Sequence, residues 1–106
     1  MLQTNSIVVL APGIGTRVLQ FMNSVLPPQV IVENKSSDFS AMIEYEESDD
    51  MATWATLVGT SKSIQPLGAD GQIVLSNKRY LALFAQGNVN LHVTVLRQYG
   101  DMQDLR

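Results

Sequence analysis

The stretch from Arg79 to Arg97 constrains this chain more than any other, because two runs rich in apolar and β-branched residues flank the pair Gly87-Asn88. A glycine at the first central position of a two-residue loop supplies the positive φ of a type II′ turn, and that turn matches the twist of paired strands. The pattern predicts a β-hairpin. With Gln86 opposite Val89, the register sets Phe84 against Leu91, Ala82 against Val93 and Tyr80 against Val95, all on the expected core face. The other face then carries Leu81, Leu83, His92, Thr94 and Leu96. So much leucine does not suit a sheet open to water, and a second chain is expected to cover it.

A length of 106 residues fits one domain with its own core. Charged residues make up only 16% of it, against a usual share of roughly 25%. Its surface must therefore be largely uncharged, as suits a protein that packs against others. The formal net charge is −3 and lysine and arginine form no cluster, which argues against a nucleic-acid partner. Cysteine is absent, so disulfides, thiolate chemistry and cysteine-based metal sites are excluded. The first residues lack the basic start of a secretory signal, and their apolar run is too short to span a membrane.

Residues 1–28 alternate short apolar runs with breakers. Ile7 to Ala11 reads as a strand, Pro12-Gly13-Ile14-Gly15 as a turn or loop, Arg17 to Met22 as a second strand or, since Val18-Leu19 and Phe21-Met22 fit neither period, a short helix, and Pro27-Pro28 ends any regular element. This section is either an N-terminal arm or the first strands of the domain. As an arm it would rest Ile7, Val9, Leu19 and Phe21 on an outside surface. From residue 29 to 99 short strands recur at intervals near ten residues, with turn residues between them. In Phe39 to Glu46 the alternation turns Phe39, Ala41, Ile43 and Tyr45 inward and Ser40, Met42, Glu44 and Glu46 outward. Trp54 lies in a further strand, as a core or interface anchor, and residues 100–106 form a polar tail. The pattern predicts an all-β domain, an antiparallel β-sandwich or jelly roll with an N-terminal arm.

No catalytic motif stands out. His92 is the single histidine, so a histidine-based metal site lacks partners and any Ser-His-Asp arrangement must be built around this one ring. A structural or interface role is expected for it. The acidic stretch Glu44, Glu46, Glu47, Asp49 and Asp50 offers oxygens for a hard cation but lacks the glycine and spacing of a calcium loop, and a solvated strand end is expected. Gly13-Ile14-Gly15-Thr16 lacks the lysine and third glycine of a phosphate loop. Tyr45, Trp54, Tyr80 and Phe84 suggest a stacking platform for sugars, but alternation places Tyr45, Tyr80 and Phe84 on core faces.

The rhythm Val30-Ile-Val-Glu-Asn-Lys-Ser, Ile43-Glu-Tyr-Glu-Glu-Ser, Trp54-Ala-Thr-Leu, Ile64-Gln-Pro-Leu-Gly and Tyr80-Leu-Ala-Leu-Phe-Ala-Gln-Gly-Asn resembles the capsid decoration (cement) proteins of tailed bacteriophages. The resemblance implies a non-enzymatic virion protein without cofactor. Such a protein binds the outer capsid surface across joints between major capsid subunits, as a dimer or trimer. The expected contacts are Ile7, Val9, Leu19, Phe21, Leu81, Leu83, His92 and Leu96. The alternative is a carbohydrate-binding module or a receptor-binding, fibre-associated β-sandwich, since these share the same rhythm.

Overall fold

Most successive strands alternate between two antiparallel sheets, so most turns of this chain cross the core instead of closing hairpins. The computed structural model describes residues 2–10, 13–24 and 26–98, with side chains for 6–9, 13–24 and 26–97. The strands are β1 (Leu2–Leu10), β2 (Gly13–Met22), β3 (Gln29–Asn34), β4 (Ala41–Ser48), β5 (Ala55–Thr56), β6 (Lys62–Ile64), β7 (Ala69–Ile73), β8 (Tyr80–Gly87) and β9 (Asn90–Gln98). One sheet has the order β1-β9-β3-β7 and the other β2-β8-β4-β5, with β6 pairing the same edge of β4 as β5. Among the described residues no helix forms. The architecture is the predicted antiparallel β-sandwich, wound as a jelly roll in which one strand position is divided between β5 and β6.

The hairpin expected at Gly87-Asn88 is not formed. β8 lies between β2 and β4, whereas β9 lies between β1 and β3 in the opposite sheet. Gly87 does take a positive φ, 140°, but it turns the chain from one sheet to the other. A Cβ there would stand 3.1 Å from the Ser40 carbonyl oxygen and 3.4 Å from the Ala41 Cα, so glycine permits a close backbone approach. Val89, at the tip of the expected hairpin, is instead 2% exposed and plugs the end of the core.

This change of partner inverts β8. Leu81, Leu83 and Ala85 point between the sheets with no exposed surface, while Tyr80 and Phe84 face outward. Leu81 and Leu83 are therefore core residues, not interface residues. A period-two strand can present either parity to a core, and only its pairing decides which. β9 keeps the expected assignment: Leu91, Val93 and Val95 are fully buried, and His92, Thr94 and Leu96 are half-buried on the outer face.

Residues of both sheets fill the space between them. Val30 and Val32 of β3 and the three β9 residues meet Ala41, Ile43 and Tyr45 of β4, the inward residues of β8 and Ile64 of β6. Burial of each large apolar side chain contributes about 1.5–3 kcal/mol. Phe39, expected inside, is 59% exposed because β4 begins only at Ala41. Asn34 takes part of the space at that end. Its amide donates to the Phe39 and Ile64 carbonyls at 2.8 and 3.1 Å, and its Oδ1 accepts from the Ser36 N–H at 2.9 Å. A fully partnered asparagine can be 1% exposed at little cost.

Of the two alternatives for residues 1–28, the described ones build strands. β1 pairs with β9 from Leu2↔Gln98 to Leu10↔Asn90, and β2 pairs with β8 from Gly13↔Gly87 to Met22↔Tyr80. The arm is thus replaced by two sheet margins. Gly13 and Gly15, expected in a turn, open β2 with φ values of 72° and 119° and a register shift before Thr16. They make a β-bulge. Phe21 is 7% exposed and belongs to the core, where Ile7, Val9 and Leu19 also pack as partly buried neighbours. The tail expected at 100–106 lies outside the described residues.

Candidate interaction surface

The edges of the two sheets differ in how they are protected. On the far side, β7 is five residues long and carries Asp70, and β5 and β6 are only two and three residues long. On the near side β2 carries Arg17 and two register shifts. Short strands, charges and bulges all discourage the addition of a foreign strand. β1 has none of these devices: its nine residues, Leu-Gln-Thr-Asn-Ser-Ile-Val-Val-Leu, hold no charge and no proline, and their register with β9 is unbroken. Among the described residues its outer margin has no neighbouring strand in the sheet.

The outer face of that sheet carries a polar relay. His92 lies opposite Val8 on one side and Glu33 on the other. Ser6 Oγ is 2.5 Å from His92 Nε2, and His92 Nδ1 is 3.0 Å from Glu33 Oε1. Glu33 also meets Lys35 Nζ at 3.1 Å. The His92 bond, followed by Lys35, holds the Glu33 carboxyl below its ordinary range. Because a carboxylate accepts, the Nδ1–H donates to Glu33, and in the tautomer with its proton on Nδ1 alone Nε2 accepts from Ser6. The order serine, histidine, carboxylate is that of a nucleophilic triad, a combination invisible in sequence because Glu33 and His92 are 59 residues apart. It stands on a sheet face, and clefts elsewhere in the described residues are lined by other residues. Acyl transfer also needs N–H donors aimed at the developing oxyanion. The relay ties the β1 edge through β9 to β3. Val8, at 66% exposed, and Ile73, at 63%, stand on the same face with half-buried Ile31 and Leu96.

The outer face of the second sheet is built differently. Arg17 Nε donates to Glu46 Oε1 at 2.7 Å, and the guanidinium carbon lies 5.2 Å from the centre of the Trp54 ring. Trp54 is fixed in turn by its Nε1–H, which donates to the Met51 carbonyl at 3.2 Å. Beside this group opens a cleft of about 110 Å³ lined by Met42, Ile43, Glu44, Ser61, Phe84 and Gln86. Phe84 and Glu44 are cross-strand partners, as are Gln86 and Met42.

The acidic stretch is dispersed by alternation. Glu46 pairs with Arg17, Glu47 accepts from Ser76 Oγ at 2.5 Å, and Asp49 meets Lys78 at 3.1 Å. Asp50 accepts from the N–H groups of Thr53 and Ala52 and from Ser48 Oγ, and these bonds hold its carboxyl below the ordinary range. Among the described residues no group of three or more histidine, aspartate or glutamate side chains is placed to hold a metal ion.

These features define an all-β sandwich with one unprotected sheet edge and two dissimilar outer faces. No protein-family profile and no curated protein matches the chain. Among solved structures it is similar to PirA in its crystal structure, with a TM-score of 0.57 and 16% identity over 87% of this chain and 90% of that one. At this identity the likeness is one of fold.

Proposed function

We propose that this chain is a non-enzymatic structural protein of a tailed-phage particle. It binds the outer capsid surface, stabilises contacts between major capsid subunits, and attaches by the β1 margin. The observation that carries the proposal is the contrast among edges, since β1 alone is long, uncharged and unbulged. Such an edge takes up a partner strand through backbone hydrogen bonds, with adjacent side chains giving selectivity. Ile31, Ile73, Leu96 and Val8 then replace Leu81 and Leu83 as the apolar surface beside the contact. A charge-poor exterior and a rigid sandwich suit the role, and repetition over many equivalent capsid sites turns modest affinity into high occupancy.

Mixing the purified protein with capsids that lack it, followed by sedimentation, tests the proposal. The protein is expected to pellet with the particles, and Val8→Lys, which places a charge beside the edge, to remain in the supernatant while folding normally. A wild-type chain that never pellets, or a Val8→Lys variant that pellets equally, overturns the proposal.

A further inference from the structure

We propose that the cleft beside Phe84 is a binding site for a neutral saccharide. The site lies on the outer face of the second sheet, on β4 and β8 and the segment before β6, and so is separate from the β1 margin. It combines apolar side chains with polar groups of three kinds. Phe84 and Met42 are the outward apolar residues, set diagonally between the outward polar residues Glu44 and Gln86. Phe84 is seated by Gly15, where a Cβ would come within 2.8 Å of its Cζ, so the bulge that opens β2 also makes room for the ring.

The polar groups retain unused hydrogen-bonding capacity. Glu44 accepts from Ser61 Oγ at 3.2 Å, and no cationic side chain among the described residues bridges it. An ionised carboxylate has about four acceptor positions, so most remain open to a ligand's hydroxyl groups. Gln86 is exposed at the cleft and offers both a donor and an acceptor. Carboxylate, carboxamide and hydroxyl next to an aromatic side chain are what a pyranose needs, with its apolar C–H surface and hydroxyl rim.

Charge narrows the ligand class. Arg17, the cross-strand partner of Phe84, is already bonded to Glu46 and stacked on Trp54, so it does not serve an anionic sugar. Glu44 repels one. A quaternary ammonium group is commonly held by a cage of several rings, whereas one aromatic ring lines this cleft. The volume of about 110 Å³ holds a few waters or one edge of a sugar ring.

Heteronuclear NMR titration of the full chain with methyl glucoside, methyl galactoside, methyl mannoside and N-acetylglucosamine tests the site, with N-acetylneuraminate and choline as charged probes. Saturable shifts from at least one neutral sugar are expected, confined to residues 42–44, 61 and 84–86. Gln86→Ala and Glu44→Ala, with otherwise unchanged spectra, are each expected to weaken binding roughly tenfold, as for loss of one strong hydrogen bond. Shifts that are absent for every neutral sugar, that fall elsewhere, or that arise only with N-acetylneuraminate or choline overturn the proposal. Capsid attachment is unaffected by either result, because Val8 and β1 lie in the other sheet.

Discussion

Arg17 reaches across β8 to Glu46, and Ala82, the cross-strand neighbour of Glu46, has no exposed surface although it faces outward. The register sets Arg17 opposite Phe84 and Glu46 opposite Ala82, so the bridge runs diagonally across β8 and Ala82 is flanked by Gln20 and Glu46. Ala82→Leu is expected to destabilise the protein by about 1–3 kcal/mol through overpacking. Arg17→Met, which strands a carboxylate only 10% exposed, is expected to cost about 1–3 kcal/mol. Urea denaturation gives both values, and the Arg17→Met/Glu46→Gln double variant should recover part of the second loss. Full additivity contradicts the bridge.

Gly87 is the point at which the chain passes between sheets. Its φ of 140° and the Ser40 oxygen 3.1 Å from a would-be Cβ both oppose a side chain. Gly87→Ala should lower stability by about 1–3 kcal/mol. Gly59, with φ 86° and nothing within 4 Å of a Cβ, has backbone strain alone and should lose less on the same change. Equal losses in thermal unfolding would deny the close approach at Gly87.

The His92 and Lys35 bonds to Glu33 give stability a defined pH dependence. Its carboxyl titrates lower in the folded chain than its ordinary 4.5. A depressed folded pKa contributes stability above the unfolded value, and that contribution disappears as pH falls through the folded one. Glu33→Gln should therefore be less stable than wild type near neutral pH, with the gap closing on acidification below the ordinary 4.5. A gap that persists or widens in acid, followed by urea midpoints, contradicts this assignment.

Tyr45 makes the opposite prediction at high pH. Burial, and then the Asp70 carboxylate, push its hydroxyl pKa well above the ordinary 10, and the hydroxyl has no hydrogen-bond partner among the described residues. Above about pH 10 the unfolded chain loses this proton while the folded chain keeps it, so stability falls as pH rises. Tyr45→Phe should be neutral or up to about 1 kcal/mol stabilising near pH 7, because it removes a buried, unpartnered group. Its advantage should grow in alkali. A large loss at neutral pH would reveal a role for the hydroxyl.

The local pattern was enough for strand content and for the inward parity of β4 and β9, where Ile43, Tyr45, Leu91, Val93 and Val95 alternate with polar residues. It was not enough for β8. There Leu81, Leu83, Tyr80 and Phe84 offer two apolar faces, and the turn at Gly87 fits an arch as well as a hairpin. That ambiguity hid the outward placement of Phe84 and, with it, the cleft beside Glu44. The Ser6–His92–Glu33 relay and the exposed β1 margin depend on which strands are neighbours, a property of topology that no short window contains. Arg17 and Trp54 meet for the same reason, being 37 residues apart but close on the outer face.

Amide hydrogen exchange across residues 2–10, compared between the free protein and the capsid-bound protein, tests the attachment by β1 most directly. An edge strand leaves part of its N–H groups facing solvent. On binding, residues 2–10 are expected to show a marked slowing of exchange while β5 to β7 are unchanged. Exchange at β1 that is the same in both states, with protection arising at another surface, would contradict the account.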